Sequence, residues 1–318
     1  MRRHRVRILI TLSALLAMVV VVYAALEIYR DQDQLSYFVD LKGEIASLRE
    51  TVLEESPTHS LLQIDLRDDR GLEVVGYLKL PISDEGLFPA LVALGGVRTG
   101  KNVLDYVEDT RGIAVLALDY PYDGKKSGLS VREFISKIPD IRQALFNTVP
   151  ATMLAVDYLL QRDDIDPNRI VLVGGSVGAL IAPAAGAADQ RVDGVALLFG
   201  AGDLEAVFRA NIPAPAPLAA LGAWVAAVAV SPLEPLKYVG RISPRPLFML
   251  NGTGDDRMPV RSSELLHEKA GEPKTVRWID AGHVHIRSTE FHQSVTDELI
   301  AWLVEHDLAE SETLAEDQ

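Results

Sequence analysis

The chain has 318 residues, with 31 Lys+Arg against 45 Asp+Glu, a formal net charge of −14 and no cysteine. Its length suits one large domain, since a chain near 300 residues hides roughly 75% of its unfolded surface on folding. The missing cysteines exclude disulfides, thiolate nucleophiles and Cys-based zinc sites. The acidity argues against nucleic-acid binding, which draws on clustered Lys and Arg.

From Ile8 to Leu26, nineteen residues carry no charge and only Thr11 and Ser13 are polar. A helix of that length rises about 28 Å, close to the roughly 30 Å hydrocarbon core of a bilayer. Arg2, Arg3, Arg5 and Arg7 precede it. The positive-inside rule then predicts that residues 1–29 are a basic cytoplasmic end with a transmembrane segment, and that the body lies on the far side. Two readings are open: a retained single-pass signal anchor, or a secretory signal cleaved near Val22-Tyr23-Ala24, which would release the body. Residues 30–57 predict a helical stalk. Leu41, Ile45, Leu48 and Val52 recur at spacings of four, three and four among charged neighbours, and Pro57 ends the helix.

The body, residues 58–307, begins with a predicted hairpin, Leu61–Leu66 and Leu72–Leu80 about Arg67–Gly71. Short continuous apolar runs follow at Ala90–Leu94, Ile113–Leu118, Ile170–Val173, Val195–Phe199, Leu247–Leu250 and Thr275–Ile279. Such runs predict strands buried on both faces. Helical patterns at Thr152–Leu160, Val177–Ala188, Ser262–Lys269 and Phe291–Val304 separate or close them. The expectation is an α/β fold, a mostly parallel central sheet with helices on both faces. A lid-like insertion is expected over 203–244. Its apolar stretch Leu218–Val230 is too short to span a bilayer, and with Trp224 it suits an acyl-pocket wall, a bilayer contact or core. Residues 308–318 read as an acidic, disordered tail.

Ligands of such sheets bind beyond the carboxyl ends of the strands. After Ile170–Val173 comes Gly174-Gly175-Ser176-Val177-Gly178, a G-x-S-x-G pattern at a strand-to-helix turn. The glycines permit a tight turn that lifts the serine hydroxyl clear of the backbone, and the Val177 N–H lies where an oxyanion would form. A serine nucleophile needs a base. His283 follows the last strand, in Asp280-Ala281-Gly282-His283, with His285 in reserve. The orienting carboxylate comes from Asp255 or Asp256, after Leu247–Leu250, or from Asp203 in Gly200-Ala201-Gly202-Asp203. Tyr120 and Tyr122 would line the same cleft or belong to a solvated loop. A phosphate-loop pattern, Gly95-Gly96-Val97-Arg98-Thr99-Gly100-Lys101, competes but lacks the following Ser or Thr that would bind magnesium, since Asn102 stands there.

The order Ser176, Asp255, His283 is nucleophile, acid, base. From Leu61 to Val304 the chain resembles an α/β-hydrolase of the esterase, dienelactone-hydrolase and prolyl-oligopeptidase-like kind. Ile165-Asp166-Pro167-Asn168-Arg169-Ile170, the Gly252-x-x-Asp255-x-x-x-Pro259 loop and Ala281-Gly282-His283 carry the likeness. It implies Asp255 as the triad acid, a serine hydrolase acting through an acyl-enzyme on a small-molecule or lipid ester, and no cofactor or metal. An acyltransferase or peptidase with the same triad, or a non-catalytic binding protein on this scaffold, are the rivals. One departure stands out. The family's His-Gly after the strand preceding the first helix is Gly95-Gly96 here, which leaves Gly96 or Val97 as the second oxyanion donor.

Overall fold

The computed structural model describes residues 2–83, 86–97, 99–107, 109–122, 124, 131–283 and 289–310. His285, Arg98 and the tail from residue 311 lie outside the described residues. A long apolar helix, α1 (Arg2–Asp31), and a short one, α2 (Leu35–Leu41), lead into the sheet. Its strands are β1 (Ile45–Glu55), β2 (His59–Asp68), β3 (Glu73–Pro81), β4 (Phe88–Leu94), β5 (Ala114–Leu118), β6 (Ile165–Gly175), β7 (Gly194–Leu198), β8 (Leu247–Gly252) and β9 (Lys274–Ile279). Helices α3 (Val131–Leu159), α4 (Val177–Ala188), α5 (Leu204–Asn211), α6 (Ala216–Val230), α7 (Val260–Lys269) and α8 (Thr289–Glu305) fill the crossovers and close the domain.

The spatial order is β1-β2-β3-β5-β4-β6-β7-β8-β9. Strands β5, β4, β6, β7, β8 and β9 run parallel, and β1, β2 and β3 extend the sheet antiparallel. The expected mostly parallel α/β sheet is therefore present. β4 and β5 are buried almost throughout, as continuous apolar runs require when helices cover both faces. One face packs on α2, α3 and α4 around Leu116, Ile170, Leu172, Leu154 and Ile181. The other packs on α8 around Val115, Val171, Phe248, Trp302 and Leu303. α4 is apolar all round because it is buried all round, with residues 178–187 inaccessible. Phe38 of α2 is fully buried and meets Phe146 of α3 edge to face. Burying one such ring contributes about 1.5–3 kcal/mol and fixes the entry of the chain.

The helical stalk is overturned. Residues 45–55 form β1, paired antiparallel with β2 from Ile45 opposite Asp68 to Glu55 opposite Ser60. Pro57 ends no helix. It sits in the reversal between the two strands, where the Ser56 N–H donates to the His59 carbonyl and the His59 N–H to Ser56 Oγ. Buried Asp68 accepts N–H groups from Gly43, Arg70 and Leu72, tying the start of β1 to the β2–β3 turn. Glu50 accepts from Tyr158 Oη and Arg162, which holds the edge strand to α3.

β4 and β6 are neighbours whose connections leave in opposite directions, β4 to β5 on one side and β6 to β7 on the other. That is the switch point at which a doubly wound sheet opens a crevice.

Candidate active site

Ser176 stands at the carboxyl end of β6 with φ +55° and ψ −114°, a conformation rare for a residue with a Cβ. Its N–H donates to the Leu198 carbonyl of β7 (2.9 Å), and its own carbonyl receives the Ala179 N–H (3.0 Å). The turn can be this tight because the flanking glycines have no side chains. A Cβ on Gly178 would collide with the Leu94 carbonyl of β4, and one on Gly174 with the Gly178 backbone. The Ser176 N–H is taken, and the next backbone N–H is that of Val177, at the start of α4. Among the described residues, the Val177 N–H has no acceptor.

His283 reaches this turn from the loop after β9. Ser176 Oγ lies 2.8 Å from His283 Nε2. On the opposite side of the ring, His283 Nδ1 lies 2.8 and 3.0 Å from the two Asp255 carboxylate oxygens. This pairing puts the imidazole proton on Nδ1 and leaves Nε2 to accept the Ser176 hydroxyl. Phe199, which follows β7, meets the imidazole edge to face and limits its rotation.

The acid and histidine loops are built as a pair. Thr253 N–H donates to Ile279, and Gly254 N–H to Ala281. The Ala281 carbonyl passes so close to Gly252 that a Cβ there would strike it. Asp255 also accepts the N–H groups of Arg257 (2.8 Å) and Met258 (2.9 Å), so its carboxylate is fixed before His283 is considered. Burial pushes the Asp255 carboxyl upward. Hydrogen bonds from His283, Met258 and Arg257 outweigh it and hold the group below the ordinary aspartate value.

The other acids have different places. Asp256 is exposed beside Arg257. Asp203 caps α5, accepting the Ala206 N–H with its own φ at +54°. Lys101 lies 4.5 Å over the Tyr77 ring, a cation–π contact on the side of the loop. Tyr120, expected to wall the cleft, is buried beneath the Gly95-Gly96 turn and donates its hydroxyl to the Gly95 carbonyl (2.6 Å). Because the peptide unit is planar and trans, fixing the Gly95 carbonyl also fixes the direction of the Gly96 N–H. Tyr120 thus braces the peptide that lacks the family's histidine, a role the sequence hid because the tyrosine lies 25 positions further on. Val97 is half exposed, and among the described residues the Gly96 N–H has no acceptor. Trp224 faces α1 rather than the triad side chains: it stacks on Tyr23 and donates Nε1–H to Glu27 (2.8 Å). The apolar wall beside the Asp255 loop comes from α5, where Leu204 and Val207 pack with Leu180 and Met258.

The sequence profile of the prolyl oligopeptidase family matches residues 141–308. The protein YfhR of Salmonella typhimurium (strain LT2) is 28% identical over 162 residues, 48% of this chain and 53% of YfhR. The chain thus spans about half the length of the curated relatives it matches. Among solved structures, acetyl xylan esterase 1 from Thermoanaerobacterium sp. JW/SL YS485 superposes with a TM-score of 0.65 at 17% identity, covering 88% of this chain and 93% of that one. The acetyl xylan esterase from Paenibacillus sp. R4 gives 0.64 at 19% identity, covering 84% and 92%. These structures share the α/β-hydrolase fold with this chain. The family profile takes in β6, the serine turn, the acid loop and His283, more than half of the sequence, and the chain belongs to the prolyl oligopeptidase family of serine hydrolases.

Proposed function

We propose that this is a membrane-anchored serine esterase that cleaves an acyl bond through Ser176, His283 and Asp255. The observation that carries the reading is the unbroken relay from Ser176 Oγ through His283 to Asp255, each step 2.8 Å. His283 Nε2 takes the hydroxyl proton as Ser176 Oγ attacks the substrate carbonyl. Asp255 keeps the ring in the Nδ1–H form and stabilises the imidazolium. The Val177 and Gly96 N–H groups receive the oxyanion, where losing one such donor costs about 3–4 kcal/mol. The tetrahedral intermediate collapses, His283 returns its proton to the departing oxygen, and an acyl group remains on Ser176. Water, deprotonated by His283, then releases the acid by the same route. The likeness to two acetyl xylan esterases supports an ester as the bond cleaved. The family's description favours a second reading, cleavage of a peptide bond by the same relay.

α1 supports the anchor: within Ile10–Asp31 an 18-residue window has a mean hydropathy of 2.2, and none of that window is buried by the domain. Ser176→Ala in the full chain is expected to lower turnover of p-nitrophenyl acetate at least ~10³-fold without loss of folding. Unchanged turnover overturns the nucleophile. A blocked peptide amide hydrolysed with a higher kcat/KM than the ester would favour the peptidase reading.

A further inference from the structure

α6 has no polar side. Residues 212–233 contain no charged side chain. Ala219, Ala223 and Ala227, each four apart, and Val228 face inward and are buried. On the opposite stripe Leu218, Leu221 and Val225 are 62%, 60% and 52% exposed. A helix apolar on every side is normally enclosed, and here one stripe has no cover from the domain.

What lies next to that stripe is α1. Tyr23 stacks on Trp224 with ring centroids 5.6 Å apart, and Trp224 Nε1–H donates to Glu27. Below them Arg30 pairs with Glu205 of α5 (2.7 Å), Arg142 Nη2 donates to Tyr29 Oη (3.0 Å), and Lys237 Nζ donates to the Arg30 carbonyl. The last turns of α1 are therefore docked on the α5–α6 unit. Its residues from Ile10 to Val22, such as Leu15, Leu16 and Val21, project beyond it uncovered. A Tyr–Trp pair where an apolar helix meets polar partners has the chemistry of a bilayer interface. The exposed stripe of α6 is on the helix that carries this Trp.

We infer that the outer face of α6 lies in the interface of the same bilayer that holds α1, so that the segment between β7 and β8 is a second membrane contact. The inference rests on the anchor and hydrolase readings proposed above. It adds a substrate class: α6 packs on α5, and α5 packs on Met258 and bonds Arg257 through Asn211, beside Asp255. The cleft is then one helix away from the lipid surface, placed for an ester carried in the bilayer.

The test uses single spin labels, which the cysteine-free chain makes simple. Labels at Leu218→Cys, Leu221→Cys and Val225→Cys are read in the full chain, in phosphatidylcholine–phosphatidylglycerol vesicles at low protein density. Val19→Cys serves as the anchor control, and Ser294→Cys, exposed on α8 across the sheet, as the aqueous one. The three α6 labels are expected to collide more with oxygen and less with a water-soluble nickel chelate than Ser294→Cys does. If they match Ser294→Cys while Val19→Cys reads as immersed, the docking inference alone falls. If Val19→Cys also reads as aqueous, the anchor falls and the inference with it. Exclusion of both reagents together with label–label broadening means that a second copy covers the face, which also overturns the inference. As a second readout, Leu221→Glu with Val225→Glu is expected to leave p-nitrophenyl acetate turnover unchanged and lower hydrolysis of a vesicle-embedded long-chain ester ~10-fold or more. Equal loss on both substrates argues against it. Failure of the hydrolase reading is seen separately, in Ser176→Ala, because the labels report docking whatever the chemistry.

Discussion

At Asp255 the carboxylate makes two kinds of bond: two backbone N–H groups hold one oxygen, and the imidazole of His283 faces both. Asparagine would keep the backbone bonds but offer its amide N–H to His283 Nδ1. The ring would then carry its proton on Nε2 and be unable to accept from Ser176. Asp255→Asn is accordingly expected to lower kcat ~10³–10⁴-fold with little change in thermal stability, measured on p-nitrophenyl acetate and by unfolding. A variant that keeps full turnover would remove Asp255 from the relay. Ser176 and His283 were legible in the sequence because each follows a strand in a short, glycine-marked turn. The choice among Asp203, Asp255 and Asp256 was not settled by the residues alone, since all three are loop acids after strands. Backbone direction separates them: Asp203 turns back to cap α5, Asp256 turns to solvent, and only Asp255 turns inward. The role of Tyr120 was not legible for a related reason. Its place after β5 suggested a cleft wall, whereas its hydroxyl reaches down to Gly95.

The elements with both faces buried were read correctly, because continuous apolar runs leave little choice of structure. β1 was not. Its apolar residues recur at helical spacing, yet Leu48, Val52 and Leu53 remain largely exposed in the strand, so no buried face selected the pattern. What decides it is the open edge of β2 and the reversal at Ser56–His59, information that lies in another part of the chain. α5 is only two turns long, too short for its pattern to stand out in the sequence. A buried polar link joins β7, β8 and α7: Asn251 Nδ2 donates to the Gly200 carbonyl, which also receives Ser263 Oγ, and His267 Nε2–H donates to Asn251 Oδ1. Burial, aided by the charge of Lys274 and opposed by Glu264, pushes His267 down to about 4. The folded protein then prefers the neutral ring while the unfolded chain binds a proton below about 6.5. The stabilisation is complete above pH 6.5 and is lost as pH falls from 6.5 to 4. His267→Gln is expected to flatten the pH dependence of unfolding across that window, followed by urea titration at several pH values. An unaltered slope would assign the acid sensitivity elsewhere.

For the whole molecule, the proposed topology puts everything after α1 on the far side of the membrane from the four N-terminal arginines. Ser294→Cys introduces the only thiol in the chain, on an exposed turn of α8. A membrane-impermeant maleimide is expected to label it in intact cells. Labelling only after lysis would put the body in the cytoplasm. The clasp of α1 by Glu205, Arg142, Trp224 and Lys237 has a kinetic corollary. A body held to its tether by ion pairs and ring stacking does not swing on a loose leash. Under the proposed anchoring it would meet its targets by drifting in two dimensions with the helix that carries it, and its output would follow how many ester molecules occupy each patch of membrane, not how many are dissolved around it.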